Sequence, residues 1–276
     1  MHALIRSIWP TLWALSWGAF TLDTVSEAVL KKFCYSSRPQ WNELGKLTKV
    51  GTIKQRGPVS LDERFGSDIW SRLQGKTVLD YGCGYGVDVN SLTEHGINAV
   101  GLEHRQDLVE ASLAVSKGEF VHSSQTGPLA GAFDCILSIN SFEHCLDPQS
   151  VLADMRRLLK PSGTVLVTFS PPWLHPYGAH CREMTPLPWV QLLFPERAIV
   201  RMRQQYYSEK PGTCYEEVAD GLAKMTIAKF KRSIAESPFK FMKLELIPIR
   251  KLRHLAKLPL MQELLTSTVR AELSIR

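Results

Sequence analysis

No apolar run in these 276 residues reaches the roughly 18 that a membrane-spanning helix requires. No segment repeats at the period of a solenoid or a propeller. Glycine, at 18, and proline, at 16, are ordinary in number, which excludes collagen-like and low-complexity chains. None of the six cysteines (Cys34, Cys83, Cys135, Cys145, Cys181, Cys214) stands in a C-x-x-C pair. Two of them fall in segments read below as glycine loop and core strand, so a reduced, cytoplasmic chain is expected rather than a disulfide framework. The excess of 33 basic over 27 acidic residues is too small to indicate nucleic-acid binding, and no nucleic-acid partner is expected.

What is present is 44% hydrophobic and 22% charged, the balance of a globular chain with one large α/β domain and additions. The charge is uneven. Between Lys224 and Lys257 stand ten Lys or Arg against Glu236 and Glu245 alone. Such a face attracts phosphate, carboxylate or an anionic membrane surface, or is simply a solvated helix face. At the amino end, Trp9, Trp13 and Trp17 recur every four residues and would form one helical stripe, packed on the main domain or facing a membrane interface or partner. Thr24–Glu27 and Ser60–Glu63 read as capping boxes opening helices through about Phe33 and about Leu73.

From Thr77 the pattern alternates. TVLDY (77–81), NAVGLE (98–103), EFVHS (119–123), FDCILSIN (133–140) and TVLVTFS (164–170) read as strands, with helices between them. Asp147-Pro148 caps a helix through Leu159. Strands apolar on both faces and separated by helices predict a parallel sheet covered on both sides. FKFMKLELI (239–247) and the alternating TSTVRAELSIR (266–276) add a terminal strand pair, the last strand antiparallel.

Gly82, Gly84 and Gly86 form a G-x-G-x-G turn after the first strand, where a ligand can approach the backbone and amide N–H groups can point at it. That strand ends in an acid, Asp80, and the second ends in Glu103. A carboxylate there accepts hydrogen bonds from vicinal ribose hydroxyls. The loop carries no Lys or Arg, so a ribose is implied more strongly than a pyrophosphate.

VLDYGCGYG (78–86), GLEH (101–104), FDCILSINSFEH (133–144) with LDP (146–148), and LLKPSGTVLV (158–167) resemble the successive motifs of class I S-adenosylmethionine-dependent methyltransferases, in particular the small-molecule group. The resemblance covers residues 60–170. It implies a Rossmann-like, doubly wound seven-stranded α/β sheet: five parallel strands plus a terminal pair, with an N-terminal helical extension and a lid insertion. It implies S-adenosyl-L-methionine as cofactor. Asp80, Gly82 and Gly84 would line its methionine part, with Tyr81, Cys83 and Gly86 completing the turn. Glu103 would hold the ribose and His104 would lie beside the adenine. Ser124 and Gln125 stand where the family often places an acid. Asn140 and Ser141 would lie next to the methionine or the transferred methyl.

Methyl transfer from a sulfonium needs alignment and exclusion of water, and a hydroxyl acceptor gains from a general base. The candidate bases are His175 and His180, in SPPWLHPYGAH (170–180), and His144. The acidic and histidine residues nearby match no metal-motif spacing, and no metal is expected. NSFE (140–143) is not the Asn-Pro-Pro-aromatic motif of base-amine methylases, which favours a hydroxyl acceptor. The expected organisation is an N-terminal helical extension (1–59), a cofactor-binding core (60–170), a lid over the acceptor (171–238) and a terminal strand pair (239–276). The expected function is O-methylation of a sugar, natural product or lipid-linked small molecule in the cytoplasm. Two alternatives stay open: a non-catalytic cofactor-binding or scaffold protein, and a peripheral membrane enzyme attached through the tryptophan stripe and the basic 224–257 segment. The sequence leaves the oligomeric state open.

Overall fold

The computed structural model describes residues 22–35, 40–41, 47–49, 59–115, 118–207, 212–218 and 221–276. Trp9, Trp13 and Trp17 lie outside them. The described residues divide into two compact units: one takes those within 1–42, 46–55 and 176–222, the other those within 56–175 and 223–276.

The second unit is built on seven strands: β1 (Thr77–Tyr81), β2 (Asn98–Glu103), β3 (Glu119–His122), β4 (Phe133–Ile139), β5 (Leu159–Phe169), β6 (Phe239–Pro248) and β7 (Thr266–Ile275), in the order β3-β2-β1-β4-β5-β7-β6. The first five run parallel, with Leu79 opposite both Val100 and Ile136. β7 is antiparallel to β5, Phe169 facing Val269, and β6 is antiparallel to β7. The order of chain reverses at β1, which places the switch point, and with it the ligand crevice of an open α/β sheet, at the carboxyl ends of β1 and β4.

Neighbouring residues of a strand point to opposite faces, and the core divides accordingly. Leu79, Ile136, Val165 and Val167 face one way and pack with Leu152, Met155, Phe230 and Ile234, from the helices Pro148–Leu158 and Ile227–Ala235. Val78, Leu137 and Leu166 face the other way and pack with Leu61, Ile69, Val89 and Leu92. The helix Pro148–Leu158 begins where its sequence says: the Asp147 side chain accepts from the amides of Gln149 and Ser150, worth about 1 kcal/mol.

Three local readings shift. The helix expected from Ser60 to Leu73 is two, Leu61–Phe65 and Ile69–Leu73, because Gly66 adopts φ 103° between them, and Ser60 makes no side-chain capping bond. The early helix starts at Leu22, which puts Thr24 inside its first turn rather than at its cap. A short antiparallel ladder joins Gln40–Trp41 to Leu47–Lys49 within the 1–59 extension expected to be helical.

The first unit gathers residues that the sequence assigned to separate segments. Within it the helix Leu22–Lys31 meets the helix Glu196–Tyr207, where Arg201 and Glu27 are 2.8 Å apart. Tyr35 donates its amide to the Met184 carbonyl, and the Thr185 hydroxyl donates to the Phe33 carbonyl. Tyr206 and Tyr215 are buried within this unit, and Tyr206 packs edge-on against Tyr207. Residues 223–238, read with the lid, belong instead to the sheet unit, where Met225, Ile227 and Phe230 join its core.

Candidate active site

β1 delivers Asp80, 2% exposed, to the carboxyl edge of the sheet, and the chain then turns on three glycines with positive φ: Gly82 (81°), Gly84 (52°) and Gly86 (71°). They are glycine for different reasons. A Cβ on Gly82 would meet Ser141 Cβ at 2.9 Å, and one on Gly86 would meet the Phe120 ring at 2.5 Å. A Cβ on Gly84 would meet nothing within 4 Å. The first and last positions are closed by the protein itself, and the middle one opens on space that a ligand can use.

The turn's amides do not radiate toward a ligand, contrary to expectation. Gly82 and Cys83 donate to the Leu102 carbonyl, Gly86 donates to Cys83, and Gly84 donates to Glu103 Oε2 at 2.9 Å. This suits a ligand gripped by carboxylates better than a phosphate. Glu103, 4% exposed, is fixed from both sides. Its Oε1 accepts from the amides of His104 (2.8 Å) and Arg105 (3.2 Å) and lies 2.7 Å from Nδ1 of the exposed His104 ring. A carboxylate offers about four lone-pair positions; the two amides take both of those on Oε1, and Oε2, which accepts only from Gly84, keeps one for a ligand hydroxyl.

Burial holds the Asp80 carboxyl well above the usual range; Asp88 and Glu103 add to this, and the Arg64 guanidinium opposes it. Burial raises Asp88 as well, again against Arg64. Asp80, Asp88 and Glu103 thus bring three carboxyl groups together at this edge, with the Arg64 guanidinium acting against their charge.

Across the turn, Asn140 at the end of β4 takes φ 49° and donates its amide to the Thr168 carbonyl. The Ser141 and Ser138 hydroxyls lie 2.6 Å apart, and Ser141 donates to the Tyr81 carbonyl at 3.3 Å. Two expected turn residues are engaged elsewhere. The Tyr81 hydroxyl donates to Asp154 at 3.2 Å, and Cys83 Sγ stands at the position a Cβ on Gly101 would claim, 2.8 Å away. Burial, with Asp80 and Glu103 beside it, raises the Cys83 thiol. Ser124 and Gln125 are exposed on a 3-10 turn whose start is held by His122. That ring also lies 2.8 Å from the His104 carbonyl, linking the ends of β2 and β3.

Of the candidate bases, His144 closes the turn Phe142–His144 in the sheet unit, and His175, 9% exposed, is the last residue of that unit's central stretch. His180 belongs to the other unit, where it takes φ 53° and its carbonyl accepts from Arg203. Among the described residues no group of three or more His, Cys, Asp or Glu is placed to hold a metal.

Sequence reasoning passed over Arg64, Asp88, Ser138 and His122. Arg64 acts on Asp80 and Asp88 from far along the chain, whereas Ser138 and His122 bond close neighbours, Ser141 and Ser124, through side-chain directions that the sequence does not reveal. The sequence carries no sign that Glu143 is buried. Glu143 is 3% exposed; its Oε1 accepts from the Ser170 amide at 3.4 Å, and its Oε2 has no hydrogen-bond partner among the described residues. Burial pushes its carboxyl up to about 8.

The family model described as a methyltransferase domain matches residues 61–210. The ubiquinone biosynthesis O-methyltransferase of Pseudomonas paraeruginosa is 27% identical over 155 residues, which cover 53% of this chain and 64% of that protein. The chain thus spans slightly less than two thirds of that relative's length. An uncharacterized methyltransferase of Mycobacterium sp. is 34% identical over 127 residues, 43% of this chain and 50% of the relative. Among solved structures, an S-adenosylmethionine dependent methyltransferase from Mesorhizobium loti superposes with a TM-score of 0.47 at 14% identity, covering 73% of this chain and 91% of that one. A family match over more than half of the chain, laid on a sheet with the expected seven-strand order, makes this chain a member of the methyltransferase-domain family, and the methyl donor that the family and fold imply is S-adenosylmethionine.

Proposed function

We propose that this chain transfers the methyl group of S-adenosylmethionine to a hydroxyl of a small-molecule acceptor. The observation that carries the reading is Glu103: a buried carboxylate pinned against Gly84, the one turn glycine that opens on free space. In this reading Glu103 accepts the ribose hydroxyls, with His104 turning aside beside the adenine, and Ser124 and Gln125 flank the base. Asp80, Gly82 and Gly84 line the methionine part, and Asn140 and Ser141 stand next to the reacting end.

The donor, when bound, supplies a methyl already activated on a sulfonium. The protein's share is then to align the acceptor, exclude water and accept a proton. Asp80 and Glu103 bring negative charge to a cationic ligand. His144 and His175 are the histidines of the sheet unit from which the proton acceptor is drawn, and His180 is the candidate from the other unit. A hydroxyl is favoured over a base amine because NSFE (140–143) follows β4 in place of an Asn-Pro-Pro-aromatic motif. The name of the Pseudomonas relative, an O-methyltransferase, points the same way. Sugar, natural-product and lipid-linked hydroxyls are the acceptor classes to test.

The test is transfer of labelled methyl from S-adenosylmethionine into pools of small-molecule acceptors, beside calorimetric titration of the cofactor. Label entering hydroxyl acceptors as base-stable ethers is the expected result. Tight cofactor binding with no transfer to any pool would make the chain a non-catalytic binding protein. Label found only on nitrogen would overturn the acceptor class.

A further inference from the structure

The connection from β6 to β7 is where the chain's uneven charge surfaces. β6 is antiparallel to β7, which is antiparallel to β5, so β6 ends at the same carboxyl edge as β1. Side-chain contact confirms that edge: the Ser170 hydroxyl, just past β5, donates to the Ser267 carbonyl at 2.9 Å. The excursion leaves this edge after Pro248 and returns at Thr266. Its neck is closed by the Ile249 amide donating to the Leu265 carbonyl at 2.8 Å.

The excursion is held in place. Glu263, on its helix Pro259–Leu265, accepts from the amides of Ile227 (3.0 Å) and Ala228 (2.6 Å) at the start of the helix Ile227–Ala235. Its outer part is two 3-10 turns, Arg250–Leu252 and Leu255–Lys257. No acid stands between Glu245 and Glu263. Arg250, Lys251, Arg253 and Lys257 are all exposed. Among them Leu255 and Leu258 present 51% and 56% of their surface to solvent.

Four cations around two bare leucines, on a segment fixed at both ends, match what an anionic bilayer surface recognises: lysine and arginine at the headgroups and short apolar side chains at the acyl boundary. A surface that binds single-stranded nucleic acid would instead offer large aromatic platforms for stacking, and residues 249–265 contain no Phe, Tyr or Trp. We infer that residues 250–258 dock this protein on anionic membrane surfaces. The glycine turn lies on the same edge of the sheet, four strand positions away, or roughly 20 Å at about 4.8 Å per strand, so docking holds the site's edge near the bilayer. The inference is independent of which hydroxyl accepts the methyl.

The test is sedimentation of the full chain with phosphatidylcholine vesicles, with and without phosphatidylglycerol, at low and high salt. Two double variants accompany it, Lys251→Glu with Arg253→Glu and Leu255→Ser with Leu258→Ser. All four positions are solvent-facing, and an unchanged melting temperature verifies the fold. The wild type should sediment only with the anionic vesicles and be released by salt, and each double variant should bind about tenfold or more weakly. Calorimetric affinity for S-adenosylmethionine should be unchanged in both, which separates loss of docking from loss of the cofactor site. Wild-type vesicle binding by both variants would move the contact elsewhere on the chain and overturn the assignment. So would absence of vesicle binding, or a single-stranded RNA oligonucleotide bound equally well by wild type and the leucine variant.

Discussion

Glu143 pairs a buried carboxylate with an unpartnered oxygen, and its titration is readable as stability. Its carboxyl is raised by burial from 4.5 to about 8 in the folded chain, so between those values the folded state holds a proton that the unfolded state has lost. Stability is then full below about 4.5 and declines as pH rises toward 8, the direction linkage requires for a raised acid. Glu143→Gln keeps the shape without the ionisation. It should be more stable than wild type at pH 8 by an amount on the order of a few kcal/mol, with the difference fading near pH 5. Melting curves across that range check this; parallel pH dependence in the two proteins would contradict it. Asp80 is raised in the same sense, at the proposed cofactor site. A cationic ligand favours its ionised form, so binding of S-adenosylmethionine should release protons and tighten as pH rises from the acid side toward the raised value in the free protein. Titration in buffers of different ionisation enthalpy measures that release. Glu103→Ala should raise the cofactor dissociation constant at least about tenfold, since charged hydrogen bonds contribute roughly 1.5–3 kcal/mol each.

The glycine turn yields a prediction at the level of the element. Gly84→Ala meets no obstacle and carries only the left-handed backbone penalty, about 1 kcal/mol. It should fold and lose cofactor affinity. Gly86→Ala drives a methyl into the Phe120 ring as well, and should lose about 2 kcal/mol or more. Urea unfolding beside calorimetry separates the two, and equal behaviour would show that the space over Gly84 is not the ligand's. The turn and the seven strands were legible because apolar runs, glycine spacing and strand-end acids are local signals. Arg64 and Asp88 were not, because their role depends on burial beside Asp80, which no spacing reveals. The two helices between Ser60 and Leu73 were read as one because the apolar period runs through Gly66 unbroken; only the backbone angle there ends the first. The pairing of the early helix with residues 176–222 rests on contacts such as Glu27 to Arg201, far apart in sequence and invisible to periodicity.

None of the six cysteines stands in a disulfide, so reductant should leave the molecule unchanged. Its melting temperature should be the same with and without dithiothreitol, and denatured protein should take up six alkyl groups without prior reduction. Fewer would reveal a bridge. Within the described residues no helix is long and apolar enough to cross a membrane. The sheet also has a directional history. β7 sits between β5 and β6, although β6 precedes it in the chain. While the polypeptide emerges from the ribosome, β6 therefore has no neighbour to bond to until the strand that separates it from β5 has been made. Until then a nascent chain carries a bare sheet margin at β5 and a stranded ribbon at 239–248, both open to chaperones and to one another's wrong partners.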